Sequence, residues 1–112
     1  MSKIVLFTDQ HQYYLYAGSV SMHKSFDSLT GLVERELGKE VSDKEVFVFL
    51  NKERTHVKVL LHEARAYTLL YQRLHRGRFV WPSAGADGGS IRLTAIELQS
   101  LLQGLHLHTC KK

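Results

Sequence analysis

At 112 residues with 44% hydrophobic content, the chain has the length of one ordinary domain, 1–112, long enough for one core and too short for two. Its 15 Lys and Arg against 11 Asp and Glu leave a net charge of +4, which admits an acidic partner without requiring one. The apolar run at residues 4–7 is too short for a secretory core, no later run reaches bilayer-spanning length, and the lone Cys110 has no internal disulfide partner; the expectation is an unprocessed cytoplasmic protein without membrane contact.

Residues 13–16 read as a short strand that Gly18 and Ser19 break. Met22, Phe26, Leu29, Val33 and Leu37 then recur at steps of three or four. This predicts an amphipathic helix over 22–37, with Ser21 as its N-cap and Gly38 receiving the chain at its end. VFVFL at 46–50 is apolar on both faces and predicts a central strand. Residues 56–62 and 65–71 alternate, and the links NKERT and EAR are short enough for hairpins, so these runs should be antiparallel neighbours. A short strand at 91–93 precedes Thr94 and Glu97, which have capping-box spacing and predict a second helix over 94–104, ended by Gly104. The fold expected is α+β: one antiparallel sheet of three to five strands with two main helices packed on it. SAGADGGS at 83–90 reads as a loop and 106–112 as a flexible tail.

Hydrolytic chemistry needs an activated nucleophile or paired carboxylates, and the sequence has no nucleophile elbow, no HExxH and no phosphate-cradling glycine loop. Asp9, Asp27, Glu63 and Glu97 have no spacing that assembles them. Among seven histidines, His106 and His108 with Cys110 in HLHTC form the best metal candidate, yet no second cluster completes a zinc site. His56 and His62 could serve as ligands or a general base, although edge-exposed or hydrogen-bonded histidines are the plainer reading. No catalytic residue, metal or cofactor is expected.

The cations are unevenly placed. Lys52, Arg54, Lys58, Arg65, Arg73, Arg76 and Arg78 lie between positions 51 and 82, opposed there only by Glu53 and Glu63. In YQRLHRGRFVWP at 71–82, three arginines sit among Tyr71, Phe79 and Trp81. Guanidinium groups suit phosphates and aromatic faces suit bases. The expected nucleic-acid contacts are Lys24, Lys52, Arg54, Lys58, Arg73, Arg76 and Arg78 with Tyr71 as a stacking ring, while Phe79 and Trp81 are assigned mainly to the core.

MHKSFDSLTGLV at 22–33, VFVFLNKERTHVKVL at 46–60, YQRLHRGRFVWP, and LTAIELQSLLQG, in this order and spacing, resemble the small accessory protein of the IS-sixty-six group of bacterial insertion sequences. This is the second-reading-frame product often called the TnpB type, unrelated to the RNA-guided nucleases that share the label. The resemblance covers roughly residues 18–105. It implies a noncatalytic factor that assists a separate transposase, by contacting DNA or the transposase-DNA complex, or alternatively by binding the transposase as a protein-interaction module without touching DNA. The chain departs from the family pattern at several points. His23 and Ser25 stand for an arginine and a glycine, NKER stands for NRRR, and His62, Glu63, Ala64, Arg65 and Ala66 replace Trp-Asp-Gly-Asp-Gly.

Overall fold

The computed structural model describes residues 7–80 and 90–103. The elements run β1 (Gln12–Ser19), α1 (Phe26–Leu37), β2 (Glu45–Leu50), β3 (His56–Glu63), β4 (Ala66–Arg73), β5 (Ser90–Leu93) and α2 (Ala95–Leu102). The five strands form one sheet in the order β4-β3-β2-β1-β5. All six residues of β2 are buried, as a central strand with apolar residues on both faces demands.

The two faces carry separate cores. Val46, Val48 and Leu50 join Tyr13, Leu15, Val57, Val59 and Phe79 beneath Leu98 and Leu101 of α2. Phe47, Phe49 and Leu60 pack on the other face against Leu29, Leu32 and Val33 of α1. Phe79 is buried in the α2-side core as expected, whereas Trp81, the 83–89 loop and the HLHTC tail lie outside the described residues.

The expected α+β architecture is present, with one correction: the sheet is mixed. β2–β3 and β3–β4 are antiparallel hairpins and β5 runs antiparallel to β1, but β1 and β2 are parallel, pairing Tyr13 with Val46 and Leu15 with Val48. Short links force hairpins. The link from β1 to β2 contains α1 and is long enough for a crossover, so its direction was open to the chain.

Helix α1 starts one turn later than the apolar spacing predicts. The turn signature at Ser21 is real but local: its Oγ accepts from His23 N–H and its carbonyl from Lys24 N–H, and the helix begins afresh at Ser25. There Ser28 Oγ accepts from Ser25 N–H at 2.8 Å and Leu29 N–H donates to the Ser25 carbonyl. Gly38 ends the helix with φ at 69°, a left-handed cap. At α2, Thr94 Oγ1 accepts from Glu97 N–H and Glu97 Oε1 from Thr94 N–H, the reciprocal box expected from sequence; Gln103 takes the C-cap position, and Gly104 lies outside the described residues.

The β3–β4 turn holds Ala64 and Arg65 at φ of 56° and 67°, between the paired Glu63 and Ala66. Two-residue hairpin loops favour positive φ at both central positions, and the backbone keeps that geometry without glycine. Among the described residues, no helix is long and apolar enough to cross a membrane.

Candidate nucleic-acid interface

Alternation along β3 places His56, Lys58, Leu60 and His62 on the α1 face, because Lys58 pairs with Phe49 and Leu60 with Phe47. On the edge strand β4 their cross-strand partners are Arg73, Tyr71, Leu69 and Tyr67. Tyr67 and Tyr71 remain 43% and 54% exposed, unusual for rings on a sheet face.

Beyond β4 the chain turns back along the tip of the β2–β3 hairpin. Leu74 N–H donates to the Thr55 carbonyl at 2.9 Å and Phe79 N–H to the Arg54 carbonyl at 2.7 Å. Gly77, at φ of 81°, permits the reversal between them. Burial of Phe79 anchors the segment, so exposed Arg76 and Arg78 are held beside exposed Arg54. Two basic stretches more than twenty positions apart thus meet at one end of the sheet, with Lys52 on the hairpin and Arg73 at the end of β4. Among the described residues, no carboxylate lies within ion-pair distance of Arg73, Arg76 or Arg78.

At the opposite end of the sheet two carboxylates meet basic groups. Glu63 Oε1, at the far end of β3 from His56 and roughly 23 Å away along the strand, meets His11 Nε2 at 3.3 Å. Buried Glu45 pairs with Lys39 and accepts from Ser42 N–H. Among the described residues, Arg73, Arg76 and Arg78 thus have no carboxylate partner, whereas Glu63 and Glu45 each meet a basic group.

A groove of about 440 Å³ opens at the cationic end, lined by Met22, His23, Lys52, His56 and Tyr71 among others. A second cleft of about 250 Å³ adjoins it between His56, Tyr71 and Arg73. Asn51 organises the wall. Its Oδ1 accepts from the N–H groups of Thr55 and His56, at 2.9 and 3.0 Å. Its Nδ2 lies 3.1 Å from Thr55 Oγ1, 3.3 Å from His56 Nδ1 and 3.3 Å from Glu53 Oε1. Glu53 is the acidic residue of this lining.

Of the residues expected to touch nucleic acid, the structure gathers Lys52, Arg54, Tyr71, Arg73, Arg76 and Arg78 at one end. Lys24 stands at the margin, half-exposed on the segment before α1. Lys58 is different. It is 6% exposed, and its Nζ donates to the carbonyls of Met22 and Lys24 at 2.7 and 2.6 Å while sitting 4.8 Å from the centroid of the Tyr71 ring. Its charge is engaged inside the protein, which alternation along β3 explains: position 58 faces α1, not solvent.

Three residues of the site had no place in the expected contact set: Asn51, His56 and His23. The signal for Asn51 and His56 was present in NKERTH, where an asparagine at a strand end precedes a threonine and a histidine by the span of a tight hairpin. His62, the other candidate base, lies against Tyr67 with ring centroids 4.8 Å apart and planes tilted by 42°, and its Nδ1 is buried without a hydrogen-bond partner. Among the described residues, no group of three or more His, Cys, Asp or Glu could hold a metal ion.

Residues 11–112 match the model of the family described as IS66 Orf2 like protein. The uncharacterized protein y4hO of Sinorhizobium fredii (strain NBRC 101917 / NGR234) is 35% identical over 92 residues, covering 82% of this chain and 78% of that protein. No solved structure matches the chain. With a family match over nearly its whole length and a relative of similar extent, the chain belongs to the IS66 Orf2-like family of insertion-sequence accessory proteins.

Proposed function

We propose that this accessory protein assists transposition without catalysing a step, by holding element DNA against its cationic end. Lys52, Arg54, Arg73, Arg76 and Arg78 supply phosphate contacts, Lys24 extends them and Tyr71 lies within the surface. Lys58 acts from below, setting the positions of the Met22–Lys24 backbone and of the Tyr71 ring. The observation that carries this reading is the pair of backbone hydrogen bonds, Leu74 to Thr55 and Phe79 to Arg54, that join two separate basic stretches. Gathered cations of one sign raise the local potential and release condensed counterions when phosphates bind.

The test is fluorescence anisotropy with duplex DNA from the element's terminal repeat, between about 50 and 200 mM salt. Binding should weaken steeply with salt, and the triple variant Arg73→Ala, Arg76→Ala, Arg78→Ala should lower the log–log slope by up to about 3, near one unit per lost phosphate contact. Absence of binding at low salt, or an unchanged triple variant, would overturn the proposal.

One observation favours a second reading. Strand β4 ends the sheet, with Tyr67 and Tyr71 exposed upon it, and an edge of this kind can take up a partner protein such as the transposase. Retention of transposase after nuclease treatment and high salt would support this protein-protein mode in place of DNA contact.

A further inference from the structure

We infer that the groove between the Met22–His23 segment and the β2–β3 hairpin takes an unpaired nucleobase of single-stranded DNA, stacked on Tyr71. This deepens the proposed DNA contact and rests on it. The Lys58 ammonium lies against the Tyr71 ring at 4.8 Å, and the residue is still 54% exposed. A cation beneath an aromatic face fixes the ring as a platform and holds it at the groove wall. The His56 ring flanks it at 6.0 Å and 35°.

The hydrogen bonds around Asn51 and Thr55 bear on what His56 offers. Two backbone N–H donors meet Asn51 Oδ1, so the other amide atom is a nitrogen, which only donates. That nitrogen lies 3.3 Å from His56 Nδ1, and the Thr55 hydroxyl lies 2.7 Å from the same atom. With Nδ1 accepting from either group, the neutral ring carries its proton on Nε2. In that tautomer the clefts are lined by an Nε2–H donor, the Lys52 ammonium, the Arg73 guanidinium and the Tyr71 ring, with Glu53 as the opposing carboxylate.

That set matches a planar, acceptor-bearing ring joined to phosphate. A base stacked on Tyr71 can accept from His56 Nε2–H at its edge while its phosphate meets Arg73 or Lys52. Bases in an intact duplex are covered on both faces by their neighbours and cannot lie against the phenol ring; unpaired ones can. The surface would accordingly prefer single strands, whereas phosphate contacts alone would not.

The test uses the full chain, fluorescein-labelled oligo-dT of about 12 nucleotides, near the span one small domain covers, and the oligo-dT·oligo-dA duplex of the same length. Tyr71→Leu keeps apolar bulk on β4 but removes the aromatic face; Tyr71→Phe keeps the face. Oligo-dT should bind more tightly than the duplex. Tyr71→Leu should weaken oligo-dT binding about tenfold or more and narrow the preference for oligo-dT over the duplex, with Tyr71→Phe near wild type. His56→Ala should also weaken the single-strand complex. Equal affinity for both probes, or no effect of Tyr71→Leu, would overturn the inference, and arginine-dependent duplex binding would then leave the broader proposal standing. Failure to bind either probe would overturn both. Tighter binding to oligo-rU than to oligo-dT would overturn the assignment to DNA.

Discussion

The ammonium of Lys58 donates to the Met22 and Lys24 carbonyls and lies 4.8 Å from the Tyr71 ring centroid, so one buried cation couples the start of the α1 segment to the edge strand β4. A lysine whose stem crosses a core while its head finds carbonyls is well accommodated, but removing the head leaves acceptors unpaired.

Lys58→Met isolates that contribution, since the stem is kept and the charge removed. Urea unfolding should show a loss of about 2–3 kcal/mol, the scale of hydrogen bonds to a charged donor. Arg76→Ala, at an exposed position, should stay within about 0.5 kcal/mol of wild type. Equal effects from the two variants would mean that Lys58 does not have the bracing role its contacts describe.

Ala64 occupies the left-handed region at φ of 56°. An L-residue there costs about 1–2 kcal/mol, part of which glycine regains at the expense of greater freedom in the unfolded chain. Ala64→Gly should therefore stabilise the protein by about 0.5–1 kcal/mol, read as a higher urea midpoint with an unchanged slope. Destabilisation would show that the turn is not strained.

Tyr13 is buried and donates its hydroxyl proton to the Thr8 carbonyl at 2.7 Å. Burial, followed by the negative charges of Asp9 and Glu63, pushes its pKa up from 10.0 to about 12. Because the folded state keeps the proton longer than the unfolded one, this stability is complete below pH 10 and is lost as pH rises towards 12. Tyr16, raised by burial and by Glu36, acts in the same direction. Tyr13→Phe should cost about 1 kcal/mol at neutral pH through the lost hydrogen bond, and should flatten the alkaline decline in unfolding free energy. A decline as steep as in the wild type would contradict the assignment to Tyr13.

The sequence alone determined the features that rest on neighbours within a few positions. Thr94 and Glu97 cap α2 three residues apart, Gly38 closes α1, and short links fold β2, β3 and β4 into hairpins, because these interactions close within one turn of chain. VFVFL announced a central strand, since only a strand covered on both sides tolerates apolar residues at every position. The cations and Tyr71 were equally legible as a set. Only the tertiary structure decided the parallel pairing of β1 with β2, because a link containing a helix can return in either direction. It also decided the later start of α1, where the Met22 and Lys24 carbonyls accept from a lysine more than thirty positions away. The same long-range packing divided the cations, enclosing Lys58 beneath Tyr71 while backbone bonds to Thr55 and Arg54 brought Arg76 and Arg78 to the hairpin. Residue type marks what can meet phosphate, but the strand register and the packing of Phe79 settle which charges face the solvent.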